Sequence, residues 1–134
     1  MKILLDTSFL IELKKGNEKA VKVLKELSEK CEDLLVSTLT VYELLSGANY
    51  LWKKFGNARD LLIIQEMLKS LTIVPFEFEN ARKASEVRAE LMLRGLNVPD
   101  VDVLIACSED AKILTFDKDF TPLKDLGFDV LILD

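Results

Sequence analysis

Lys2-Ile3-Leu4-Leu5-Asp6-Thr7-Ser8 is the stretch on which the fold turns: a short apolar run that stops abruptly in an acid and two hydroxyls. A run this brief, bounded by polar residues, reads as a buried strand of an α/β sheet. Asp6 then stands at the carboxyl end of that strand, the edge where open α/β sheets bind their ligands. Aspartate also caps helices. Here, however, Ser8 already offers a cap to Phe9-Leu10-Ile11-Glu12-Leu13, so the reading does not need Asp6 for that purpose.

The same pattern recurs downstream. Leu34-Leu35-Val36-Ser37-Thr38, Thr72-Ile73-Val74-Pro75-Phe76, Lys112-Ile113-Leu114-Thr115 and Phe128-Asp129-Val130-Leu131-Ile132-Leu133 are further short apolar runs. Pro75 places the end of the third at or near a sheet edge. Helical patterns separate them. One runs from about Ser8 to Lys14 and is ended by Gly16; Asn17 caps a second, with Ala20, Val23, Leu24 and Leu27 on one face. Thr38 or Thr40 starts a third, interrupted by Gly47 and running on to Phe55. Asn57 and Asp60 open a fourth, through about Leu71. A fifth, from about Glu79 to Gly95, carries Ala81, Ala84, Val87, Leu91 and Met92 on one face. Pro99 or Asp100 opens a sixth. Residues 119–126 read as a loop or a short helical turn. Strands alternating with helices predict a three-layer α/β/α fold around a central, mainly parallel sheet of about four to five strands. Residues 1–134 read as a single domain.

Composition narrows the chemistry. Hydrophobic residues at 49% and charged residues at 31% suit a globular chain that buries a core. No apolar run is long enough to span a bilayer, and the opening residues are charged too soon for a signal peptide. A cytoplasmic protein is expected. Histidine is absent, which excludes Ser-His and Cys-His nucleophilic catalysis and the commonest zinc ligand. Cys31 and Cys107 lie in unlike contexts and form no disulfide framework; Cys107 reads as a buried small hydrophobe. The net charge of −5 is unlike the basic charge of proteins that hold nucleic acid by general attraction. Contact with a polynucleotide is then expected to be local or helped by bound cations, with Lys14, Lys15, Lys53, Lys54 and Arg94 as the candidates. Tyr50, Trp52 and Phe55 read as core packing in preference to a partner surface.

The acids are where the topology becomes informative. Helices antiparallel to the strands place helix N-termini at the strands' carboxyl edge. Asp6 ends the first strand. Glu43 is expected in the first turn of the helix after the second, Asp102 in the first turn of the helix leading into the fourth, and Asp117 directly after the fourth. Asp100 and Asp119 are close enough to join. Any one of them could simply complement a helix dipole or make a turn; convergence at one edge is what such roles do not predict. Gathered carboxylates repel unless a cation neutralises them, and oxygen ligands without His or Cys suit Mg²⁺ or Mn²⁺. Such a set can hold one or two ions, activate a water and steady the leaving oxygen of a phosphodiester. Removing one charge, as in Asp6→Asn, is then expected to stabilise the metal-free fold.

Four pieces in this order resemble the PIN-domain family, in its VapC-type toxin branch: Leu4-Leu5-Asp6-Thr7-Ser8, Ser37 through Glu43-Leu44-Leu45 with Gly47, Asp102-Val103-Leu104-Ile105-Ala106, and Thr115-Phe116-Asp117 followed by Asp119-Phe120. The resemblance implies a Mg²⁺- or Mn²⁺-dependent endoribonuclease. Asp6, Glu43 and Asp102 match the family's central acids and Asp117 its more variable fourth. Thr7-Ser8 stands where a Thr-Asn pair is commoner, and the pattern favours Asp102 over Asp100. It also implies a toxin that cleaves RNA, is held off by an antitoxin and forms a homodimer. An RNA-processing PIN nuclease without an antitoxin and a catalytically silent binding module with the same fold are the alternatives. Other doubly wound domains fit less well. A haloacid-dehalogenase-like phosphatase expects a second aspartate where Ser8 stands, and a phosphoacceptor domain expects an acid pair that is missing here.

Overall fold

The computed structural model describes residues 1–134. In chain order the elements are β1 (Lys2–Leu5), α1 (Thr7–Lys14), α2 (Glu18–Ser28), β2 (Asp33–Ser37), α3 (Thr38–Phe55), α4 (Arg59–Leu68), β3 (Thr72–Val74), α5 (Phe78–Leu93), α6 (Asp100–Ala106), β4 (Lys112–Thr115), a 3₁₀ turn at Lys118–Phe120, α7 (Thr121–Asp125) and β5 (Val130–Ile132). The five strands form one sheet in the order β3-β2-β1-β4-β5, and every pair is parallel. No helix is long and apolar enough to cross a membrane.

β1 lies at the centre, and its sequence shows why. Ile3, Leu4 and Leu5 are all fully buried. Alternation sends Ile3 and Leu5 to one face, with Phe9, Leu10, Val36 and Leu114. Leu4 goes to the other, with Leu35, Leu91, Ile105, Ile113 and Phe120. A strand covered on both faces needs apolar residues without a break, which is the run that begins the chain. The chain moves from β1 outward through β2 to β3, then returns to the other side of β1 for β4 and β5. The strand order therefore reverses between β1 and β4. The carboxyl ends of strands flanking such a reversal splay apart and leave a crevice. β3 is an edge strand, as Pro75 requires.

Several boundaries differ from the sequence reading. Asp6 itself caps α1, its side chain accepting from the Ser8 backbone N–H; Ser8 lies inside the helix. α3 is capped by Ser37, so Glu43 falls in its second turn rather than its first. Gly47 does not interrupt α3, which runs unbroken to Phe55 and ends at Gly56 in a left-handed conformation, φ 66°. α4 stops at Leu68. Tyr50, Trp52 and Phe55 are 56%, 47% and 65% exposed, against the expectation of core packing. The buried stripe of α3 is Thr40, Leu44 and Ala48, and these small and aliphatic residues leave the aromatics on the outward arc. Met92, expected inside, is exposed, while Leu91 beside it is buried.

Candidate functional site

The crevice between the ends of β1 and β4 is held together by hydroxyls. Thr115, the last residue of β4, donates to Asp6 Oδ2 at 2.8 Å. Ser8 Oγ donates to the same oxygen at 2.7 Å, and the Ser8 backbone N–H lies 3.3 Å from it. The two hydroxyl oxygens stand 3.0 Å apart, and both protons are directed to Asp6. Their oxygens in turn accept backbone N–H groups from the chain leaving β4: Phe116 to Ser8 at 3.0 Å and Asp117 to Thr115 at 2.9 Å. This network ties the start of α1 to the turn after β4. Burial pushes the Asp6 carboxyl above its usual range, and the hydrogen bonds from Ser8 and Thr115 act against that rise. Asp6 is thus both the cap of α1 and a member of the acidic cluster.

Asp102 faces this network from the first turn of α6 and is 6% exposed. Its Oδ2 is buried with no hydrogen-bond partner. Burial, then the negative charges of Asp117, Asp6 and Asp119, then a hydrogen bond to Asp117, push its pKa from 3.8 up to about 7. Carboxylate oxygens of Asp102, Asp117 and Asp119 all lie within 4.8 Å of one another. Asp117 also caps the 3₁₀ turn, accepting from the Asp119 backbone N–H at 2.9 Å, which folds Asp119 back toward it. Glu43 joins through Thr7, whose Oγ1 donates to Glu43 Oε1 at 2.6 Å and lies 3.0 Å from the buried Thr40 hydroxyl.

Asp6, Asp102, Asp117 and Asp119 therefore form one cluster, and Glu43 is tied to Thr7, the residue that follows Asp6. Asp100 is not brought in. Its side chain is 87% exposed and pairs with Arg88 at 2.7 Å, while Arg88 also donates to the Val98 carbonyl. Two residues along a helix turn a side chain through about 200°, which separates Asp100 from Asp102. Thr115 and Thr40 are named in the sequence reading only as part of a motif and as a possible helix start, not as site residues. A hydroxyl at the very end of a buried strand was the available signal for Thr115; for Thr40 there was none beyond its place near a helix start.

Burial alone raises the Asp6 carboxyl, whereas the charges of neighbouring acids add to the rise at Asp102, so the repulsion bears on Asp102. Asp6 is the acid best supplied with donors, and Asp102 Oδ2 has none. A buried, unpartnered carboxylate oxygen facing other acids is what a hard divalent cation satisfies, and an all-oxygen donor set suits it.

Comparison with known proteins agrees with this architecture. The chain is 31% identical over 130 residues to a VapC ribonuclease of Pyrococcus furiosus, covering 92% of this chain and 83% of that one. It is 28% identical over 106 residues to ribonuclease VapC2 of Haemophilus influenzae, covering 79% and 76% of the two chains. Among solved structures, VapBC2 of Rickettsia felis bound to a promoter DNA fragment superposes with a TM-score of 0.84 over the full length of both chains, at 23% identity. The family model for the PIN domain matches residues 3–126, nearly the whole sheet and every acid of the cluster, and the chain belongs to that family.

Proposed function

We propose that this protein is a divalent-metal-dependent endoribonuclease acting as the toxin of a toxin–antitoxin pair. The observation that carries the nuclease reading is Asp102 Oδ2, buried without a partner among the carboxylates of Asp6, Asp117 and Asp119. Asp6, Asp102, Asp117 and Glu43 would hold Mg²⁺ or Mn²⁺, with Asp119 in support. A cation there supplies positive charge to the phosphodiester and favours ionisation of the attacking water.

The chain's own groups do the remaining work. Ser8 and Thr115 fix Asp6 Oδ2, so this carboxylate needs no rearrangement when substrate arrives. Thr7 donates to Glu43 Oε1 and so orients the carboxylate, leaving Oε2 to serve as the ligand. With its pKa pushed up to about 7, Asp102 binds a proton in competition with a cation, and it would be ionised when holding one. RNA as substrate is supported by the relatives of 28% and 31% identity, both named VapC ribonucleases. An antitoxin partner is supported by structural neighbours titled as VapBC or toxin–antitoxin complexes. Assembly as a homodimer belongs to the same reading, and light scattering checks it.

The direct test is cleavage of labelled RNA with Mg²⁺ or Mn²⁺. Activity should vanish in excess EDTA and return when the ion is restored; cleavage that persists through full chelation would end the metal reading. Asp100→Asn serves as the internal control. It breaks only a surface ion pair worth about 0–1 kcal/mol, so cleavage should stay within about threefold of the parent. A loss as complete as that of Asp102→Asn would show that α6 had been read in the wrong register.

A further inference from the structure

A groove of about 330 Å³ runs between α1, α3 and α4 and begins at Glu43. Ile11 of α1 and Ile64 of α4 supply apolar walls. Glu43, Gly47, Tyr50 and Lys54 recur at i, i+4, i+7 and i+11 on α3, so they share one stripe of the helix; the first three line the groove and Lys54 lies one turn beyond it. Gly47 is unexplained by the fold. It sits inside a continuous helix, where glycine is a poor choice. Its φ is not positive, and a Cβ built on it meets nothing within 4 Å. Neither backbone conformation nor packing demands it; what it leaves is open space on the groove floor.

The groove is acidic only at its Glu43 end, and an unpaired cation, Lys54, stands one turn beyond Tyr50. Lys14 pairs with Asp60 at 3.0 Å and so neutralises the acid on the α4 wall. Of the five cations expected to touch a polynucleotide, Lys14, Lys15 and Arg94 are committed to ion pairs. Lys53 and Lys54 form none. The Lys54 ammonium donates to the Tyr50 hydroxyl at 2.9 Å and lies 5.4 Å from the centre of the Phe55 ring. A positive group is thus held in place beside an exposed aromatic ring, in a chain whose net charge is −5.

We propose that this groove seats a single-stranded RNA nucleotide flanking the cleaved phosphate, its base against Tyr50 over the gap at Gly47 and the following phosphate at Lys54. The inference rests on the nuclease reading above. An unpaired base lying on an aromatic ring is bound through its face, which every base has, so the contact would serve many sequences. It also favours single strands, because a base stacked inside a duplex has no free face to offer.

The test compares the parent with Tyr50→Ala, Tyr50→Phe and Gly47→Leu. The probe is a single-stranded RNA hexamer of mixed sequence. Its cleavage is followed with Mn²⁺, and binding of its fluorescein-labelled form is followed by anisotropy at low salt in EDTA. Tyr50→Ala should weaken binding and raise KM about tenfold while kcat stays within about twofold. Tyr50→Phe keeps the ring and should stay close to the parent. Gly47→Leu fills the groove and should raise KM at least as far, yet melt no lower than the parent because leucine is the better helix former. Unchanged KM and unchanged binding in both Tyr50→Ala and Gly47→Leu would overturn the assignment, and so would variants that keep RNA cleavage while losing only a protein partner. If the parent cleaves no RNA at all, the nuclease reading fails by itself, and the anisotropy comparison then decides the groove.

Discussion

Asp102→Asn should abolish RNA cleavage and, in the metal-free protein, raise the melting temperature. The loss of activity is expected to be at least about a hundredfold, the scale for removing a group that stabilises charge at a reacting centre. The gain in stability follows from the site's geometry. Asp102 is buried, one of its oxygens has no partner, and three other acids face it. Its pKa in the folded protein is about 7 against an ordinary 3.8. The folded state therefore binds this proton more tightly than the unfolded chain. The stability it contributes is complete below about pH 4 and is lost as pH rises to about 7. A shift of this size corresponds to about 4 kcal/mol at most, and the buried amide that replaces the acid recovers roughly half of it. For a chain of this size, that is a rise in melting temperature of roughly 5–10 °C at pH 8, shrinking toward nothing near pH 4. Mn²⁺ should raise the melting temperature of the parent and do little for the variant, because the ion binds the native site alone. Melts of both proteins at pH 4 and pH 8, in EDTA and in Mn²⁺, check all of this. A variant that melts lower than the parent at pH 8 in EDTA would show that the four acids do not repel as described.

Asp6→Ala should also abolish cleavage, but with the opposite effect on stability. Asp6 Oδ2 accepts from the Ser8 and Thr115 hydroxyls and caps α1. Truncation leaves two hydroxyl donors in a buried pocket without their acceptor and removes a helix cap. Each lost buried acceptor costs about 1–3 kcal/mol, and the cap about 1. The two hydroxyls can still bond each other across 3.0 Å, so a net loss of roughly 2–4 kcal/mol is expected, a fall in melting temperature on the order of 10 °C. The effect should be present with or without Mn²⁺. Two acids of one cluster would then differ in sign, one held by donors and the other stranded among charges. Denaturant unfolding of Asp6→Ala beside Asp102→Asn measures the difference directly; destabilisation of both by similar amounts would mean that Asp102 too is held by contacts its loss would break.

Much of this was legible along the chain because it depends on local periodicity. Five short apolar runs alternating with amphipathic ones leave few topologies open, and β1 announces a strand buried on both faces through Ile3, Leu4 and Leu5 alone. Once helices run back against parallel strands, Asp6, Asp102 and Asp117 must reach one edge, whatever the strand order. The choice of Asp102 over Asp100 was available only from resemblance to a family, since both sit at the same helix start. In space one is buried and the other pairs with Arg88. The exposure of Tyr50, Trp52 and Phe55 has a related reason. Spacing shows which residues share an arc, but α1 and α4 decide which arc of α3 is covered.

The hydroxyl network lay furthest out of reach. Thr115 and Asp6 meet across 109 residues of sequence only because β4 was laid beside β1. Short-range pattern carries the information for each strand, whereas their order is settled by how the helices pack over both faces. Local pattern was enough to specify the elements and the edge at which the acids gather. Which acid receives donors and which is left bare was decided by tertiary structure, because hydrogen bonds and charge repulsion depend on distances of a few ångströms between residues that the chain keeps far apart.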